Sequence, residues 1–122
     1  MDFKDLLAFK KGFDLAMKIY EASKSFPSEE KYSLIDQIRR SSRSTCANIA
    51  EGYRKRRYPS HFISKLSDAD MENTETQVWI EFAFSCGYIS ESIKLDWEKA
   101  SEEIGKLIGF MMSNPEKFGS KK

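Results

Sequence analysis

"SEEKYSLIDQIRRSSRSTCANIAEGYRKRR", Ser28 to Arg57, sets Ile35, Ile38, Ser42, Thr45, Cys46, Ile49 and Tyr53 at steps of three and four residues. That spacing gathers them on one face of a helix and does not suit a strand. Pro27 disfavours helix at Phe26, and Ser28 stands where an N-cap would. Glu29 and Glu30 follow in the first turn and Arg54 to Arg57 close the segment, so each charge suits its end of the helix dipole. The pattern predicts a helix over about residues 29–57.

Toward the N-terminus, Leu6, Phe9, Phe13, Met17 and Tyr20 recur at the same steps. They predict a first helix over about residues 3–25 with that stripe as its apolar face. "YPS" at 58–60 breaks the chain, and a third helix follows over about 60–87. "GYIS" supplies the next turn before a fourth helix over about 92–113, striped by Trp97, Ala100, Ile104, Leu107, Ile108 and Met111. Residues 114–122 form a short tail expected to fray. Long helices with tight connections predict an all-α fold, an antiparallel up-down-up-down four-helix bundle of one domain over residues 1–122.

With 40% hydrophobic and 32% charged residues, the composition is that of a soluble globular chain with no disorder signature. The start lacks a basic stretch leading into an apolar run, so no signal peptide is expected. No stretch approaches the roughly 20 apolar residues of a membrane span, so no membrane partner is expected. Cys46 and Cys86 stand at apolar positions of helical patterns and suit reduced packing residues, which points to the cytoplasm.

The net charge of +1 hides a division. Residues 39–57 carry Arg39, Arg40, Arg43, Arg54, Lys55, Arg56 and Arg57 against Glu51 alone. Between Asp68 and Glu103 only Lys94 and Lys99 stand against a succession of carboxylates. Such asymmetry bears on partners and assembly.

Arg40, Arg43, Ala47 and Arg54 share one flank of the second helix, and Arg40 to Arg54 spans about 21 Å. Guanidinium groups at that spacing suit the phosphates of RNA or DNA, with Tyr53 or Tyr58 placed for stacking. The alternative is ion pairing with the acidic stripe Asp68, Glu72 and Glu75 of the third helix, in a protein-interaction scaffold with no nucleic-acid role. Within the motif, Glu51 is expected to pair with Arg54 or Lys55 one turn on, and Asn48 to hydrogen-bond across a helix interface. Gly52 costs roughly 1 kcal/mol against alanine inside a helix, which a close backbone approach or an eased bend near the helix end would offset.

The third helix is apolar on two sides. Phe62, Leu66, Ala69, Asn73, Thr76, Ile80 and Phe84 share one face, while Met71, Val78, Phe82 and Ile89 fall nearly opposite. One core needs one stripe, so the second face is a candidate oligomer contact.

Catalysis finds little support. His61 is the single histidine, which excludes a bundle-type di-iron site and leaves any triad resting on one residue. No phosphate loop, dinucleotide motif or zinc spacing occurs, so no catalytic residue, metal or cofactor is expected and the chain reads as no enzyme.

"FPSEEKYSLIDQIRRSSRSTCANIAEGYRK" resembles the signature of a four-helix-bundle family, the 23S rRNA-intervening sequence proteins. Phe26-Pro27, Glu30, Leu34, Gln37, Arg39-Arg40, Ser44 and the run Asn48-Ile49-Ala50-Glu51-Gly52 carry the likeness, which extends over about residues 3–113. Cys46 departs from the aliphatic residue usual there, and "LSDADMENTETQVW" is more acidic than in many members. The resemblance implies a ring-like homopentamer without catalytic residues or cofactor. Similar bundles are accessory proteins of diversity-generating retroelements, where a positively charged pentamer binds nucleic acid and a partner protein, a reverse transcriptase. The near-zero net charge here argues against so basic a particle.

Overall fold

The computed structural model describes residues 1–121. Four helices make up the fold: α1 (Leu7–Ser23), α2 (Leu34–Arg54), α3 (Pro59–Ser85) and α4 (Glu91–Ser113). Short 3-10 turns at Phe3–Asp5, Ser28–Glu30 and Pro115–Phe118 complete it, and no strand occurs among the described residues.

Local chemistry sets the helix ends. Tyr58 is extended before Pro59, whose fixed φ suits the first position of α3. At α4 the Ser90 hydroxyl accepts from the Ile93 N–H at 3.1 Å, an N-cap. The second helix is shorter than its periodicity predicts, because Ser28–Glu30 form a separate 3-10 turn and Lys55–Arg57 already turn toward α3. Its cap is Glu30 in place of Ser28: Oε1 accepts from Ser33 Oγ at 2.6 Å and from the Leu34 N–H at 3.4 Å. The other carboxylate oxygen accepts from the Tyr88 hydroxyl at 2.8 Å, tying this end to the α3–α4 turn.

Each helix packs on its two neighbours in the cycle α1–α2–α3–α4, so α1 and α3 lie diagonally across one shared core. Ile19, Ile38, Ile49, Phe62, Leu66, Ile80, Ile104 and Ile108 fill it, essentially without solvent contact. Fully burying one such side chain stabilises by about 1.5–3 kcal/mol. Two polar links run through this interior. Thr76 Oγ1 donates to Ser41 Oγ at 2.8 Å between α3 and α2. Between α3 and α4, Asn73 Nδ2 donates to the Ser101 carbonyl and Ser101 Oγ donates to Asn73 Oδ1, both at 2.9 Å, while Gln77 Nε2 reaches Ser101 Oγ at 2.8 Å. Every buried group in the reciprocal Asn73–Ser101 pair is thereby satisfied, which such a layer must achieve to avoid a net cost.

Two expectations about packing are corrected. α1 buries Ala8, Gly12, Leu15, Ala16 and Ile19; of the expected stripe Leu6 is buried and Phe9 packs in part against the core, while Phe13 and Met17 are exposed. Small residues win the inner face because α1 comes close to α2, where a Cβ on Gly12 would sit 3.1 Å from Cys46 Sγ. Residues 114–121 of the tail expected to fray fold back instead, and residue 122 lies outside the described residues. Pro115 and Ser120 are buried, the Phe118 ring meets Phe110 edge-on at 6.1 Å, and the Ser120 N–H donates to the Pro115 carbonyl at 3.0 Å.

A candidate nucleic-acid interface

Along α2 the basic residues divide into two groups with different surroundings. In the first, the Arg39 guanidinium stacks on Tyr20 of α1 with 4.8 Å to the ring centre, while Nε donates to Ser23 Oγ at 2.8 Å. Arg43 and Lys24 approach the same ring at 5.6 and 4.8 Å. Arg40 pairs with Asp36 one turn back on α2 at 3.4 Å. Of these cations Arg39 is partly buried in the α1–α2 seam, whereas Arg40 and Arg43 are exposed.

The second group occupies the corner between α2 and α3. Arg54, Lys55 and Arg57 are exposed there, and none makes an ion pair among the described residues. Glu51, expected to neutralise Arg54 or Lys55, reaches across to Lys65 of α3 at 3.2 Å. Gly52 explains the choice, since a Cβ there would lie 3.2 Å from Lys65 Cβ and only glycine lets α3 come so near.

Arg56 behaves differently from its neighbours. Its guanidinium lies 4.1 Å from the Tyr53 ring centre and donates to the Tyr53 carbonyl at 2.9 Å. Gly119, at φ +86°, turns the tail over it, and an added Cβ would stand 3.3 Å from the Arg56 side chain. The tail thus brings Lys121 to a cleft of about 600 Å³ walled by Arg54, Arg56, Arg57 and Tyr58. The exposed Tyr58 ring stands edge-on to His61 at 6.1 Å. A wider groove of about 780 Å³ adjoins it, where Ile63 and Met112 meet Pro59, Pro115 and the same Lys121. Lys121 had no place in the sequence-derived site, because only the fold-back brings it there.

The corner lies within a segment whose likeness to known proteins extends far beyond it: a family model for the 23S rRNA-intervening sequence proteins matches residues 4–109. The chain belongs to the 23S rRNA-intervening sequence protein family. It is also similar to a solved structure of a protein with unknown function from the S23 ribosomal protein family of Bacteroides thetaiotaomicron VPI-5482. The two share 31% identity with a TM-score of 0.80, over 90% of this chain and 98% of that one. No curated protein matches the chain at a comparable level.

The signature that carries this family likeness serves helix packing in part. Gly52 lies in the α2–α3 contact. Asn48, expected to bridge helices, donates to the Ser44 carbonyl one turn back on α2 at 2.9 Å, and the bridging falls to Ser41 and Thr76. On the acidic stripe, burial and then Glu75 push the Glu72 carboxyl above its ordinary range, while a Ser44 hydrogen bond and Arg40 pull it down. No ion pair joins this stripe to the α2 arginines among the described residues.

On the outer side of α3, Met71, Val78 and Phe82 are exposed. Ile89 is not: it is buried beyond the end of α3, where the α3–α4 turn carries it into the core, and it leaves the candidate oligomer face. Cys86 likewise is exposed at the end of α3 and packs no core, whereas Cys46 is buried and its thiol pushed up to about 11 by that burial. His61 is exposed in the first turn of α3. Among the described residues no cluster of His, Cys, Asp or Glu is placed to hold a metal, and no helix is long and apolar enough to cross a membrane.

Proposed function

We propose that this chain is a non-enzymatic, cytoplasmic protein that binds RNA or DNA as a homo-oligomer. Its single domain is an antiparallel up-down-up-down four-helix bundle, and the family resemblance supports a closed ring of five copies. The observation that carries the nucleic-acid reading is the corner itself: Arg54, Lys55 and Arg57 are exposed, without a carboxylate partner among the described residues, and Arg54 and Arg57 converge with Lys121 on one cleft. A concentration of unneutralised cations raises the local potential and attracts a polyanion. Tyr58 offers a free face for a base, and stacking of that kind contributes about 1–3 kcal/mol per base. The assembly reading rests on the apolar ridge Met71, Val78 and Phe82, exposed on a helix whose other face already fills the core.

The test is binding of labelled structured RNA and duplex DNA at low and physiological salt, with molar mass followed by light scattering in the same samples. Saturable binding by a defined oligomer, weakening steeply with salt, is the expected result. Absence of binding at low salt by an intact oligomer overturns the nucleic-acid reading and leaves a protein-interaction scaffold.

A further inference from the structure

The groove of about 780 Å³ beside the basic corner changes in character along its length. It begins where the cation cleft ends: Tyr58 walls the cleft, Pro59 the groove, and Lys121 borders both. Further along, its lining is apolar, with Ile63, Met112 and the rings of Pro59 and Pro115. Ser60, Ser64 and Asp68 recur every fourth residue on the α3 wall, and Ser60 to Asp68 covers about 12 Å. Asp68 is exposed and makes no ion pair among the described residues. Cations therefore stand at one end of a continuous surface and a free carboxylate at the other.

We infer that the groove takes an unpaired guanine of a single-stranded segment whose flanking phosphate lies in the cation cleft, with Asp68 accepting from the base. The inference rests on the nucleic-acid reading above and narrows it, for the corner then binds loops and single strands in preference to duplex. A ligand that fills both cavities must carry negative charge at one end, a flat apolar body, and hydrogen-bond donors at the other, since a carboxylate only accepts. A nucleotide has that order of phosphate, sugar and base.

Pairing state and base identity follow from the same chemistry. In a duplex the bases are stacked inside and their pairing edges are taken, so only a base splayed out of the strand enters such a groove. Among the bases guanine alone sets two adjacent nitrogen donors on its pairing edge, N1–H and the N2 amino group, to match both oxygens of one carboxylate. Charge fixes the direction of the strand's entry. A phosphate beside Asp68 would meet like charge, which costs affinity, whereas a phosphate beside Arg54, Arg57 and Lys121 meets unlike charge.

The experiment is fluorescence anisotropy of the full chain at low salt with labelled RNAs: a hairpin whose uridine loop carries one guanine, the same hairpin with uridine alone, and a blunt duplex of that stem. The wild type is compared with Asp68→Asn and Ser64→Leu, both at exposed positions of α3, with helicity followed by circular dichroism. The wild type is expected to bind the guanine hairpin about tenfold tighter than the duplex, with the uridine hairpin between them. Asp68→Asn is expected to bring the two hairpins to one affinity. Ser64→Leu, which fills the groove, is expected to bring both down to the duplex. Duplex binding as tight as that of the guanine hairpin, or a guanine preference that survives either variant, overturns the inference. The corner then still binds nucleic acid, and the groove is left to a protein segment. Guanosine monophosphate that competes as well as the hairpin overturns the strand as the occupant. Absence of binding by all the RNAs overturns the nucleic-acid reading itself, and the inference with it.

Discussion

The two basic groups follow one another along α2 and the turn that ends it, and differ in what their neighbours do with the charge. Near its start, Arg39 is held by a tyrosine face and a serine hydroxyl, and Arg40 by Asp36. At its end, Arg54, Lys55 and Arg57 stand free because Glu51 has turned to Lys65. Arg39 belongs to a seam between helices, whereas Arg54, Lys55 and Arg57 belong to a surface. Availability is therefore decided by the partners that tertiary structure supplies, and a count of arginines along the helix misses it.

The largest expected effect separates the two groups directly. Changing Arg54, Lys55 and Arg57 together to alanine should weaken binding of structured RNA about a hundredfold at low salt and lower the salt slope by about three, one for each phosphate that is no longer neutralised. Its thermal midpoint should stay near the wild type, as these side chains hold nothing in the fold. Equal loss of binding and stability would erase the distinction. Arg39→Ala should do the reverse. Loss of the stacked guanidinium and its hydrogen bond to Ser23 costs about 1–2 kcal/mol in denaturant unfolding, with RNA affinity within about twofold.

Gly119→Ala probes the one place where the free group depends on a distant segment. A side chain at φ +86° is strained by about 1–2 kcal/mol and presses on Arg56, so the tail should loosen. The expected readout is faster hydrogen exchange at Ser120 and a drop of a few-fold in RNA affinity as Lys121 leaves the cleft, about 1 kcal/mol. Unchanged affinity would remove Lys121 from the site.

The smallest effect lies at the tied end. Hydrogen bonds from Ser33 and then Tyr88 hold the Glu30 carboxyl below its ordinary range, and the Glu30 bond, followed by burial, pushes the Tyr88 hydroxyl up to about 12. The carboxylate's stabilising share is complete above its unfolded pKa and lost as pH falls through the lowered folded one. The tyrosine's share is complete below its ordinary value of 10.0 and lost as pH rises from there toward about 12. Tyr88→Phe should remove the alkaline loss of stability and shrink the acid one, measured by urea midpoints across pH, with no change in RNA affinity. A wild-type alkaline profile in Tyr88→Phe would detach the hydroxyl from the fold's pH dependence.

These contrasts also show what the residues disclose by themselves. The inner face of α3 is legible because Phe62, Leu66, Ala69 and Ile80 repeat at helical steps, and their solvent exposure is nil. The inner face of α1 is misjudged from sequence because hydrophobicity ranks Phe13 above Ala16, while a close helix approach rewards the smaller side chain. Four consecutive cations are plain as a candidate surface. Their freedom is not, for Glu51 finds its partner fourteen positions away. Arg39 is bound to residues as distant in sequence, and the tail's return depends on Pro115 and Phe118 meeting groups that no local period encodes.

The polar layer at Ser41–Thr76 and Asn73–Ser101–Gln77 has a consequence for both surfaces. Hydroxyl and amide partners match in only one rotational and axial setting of α3 against its neighbours, since any slip would strand them unpaired in the interior. The ridge on the far side of α3 and the corner at its start are therefore presented in fixed orientations. Little backbone freedom is left to lose when either surface meets its partner, so the backbone-ordering share of each encounter's cost is already met in folding.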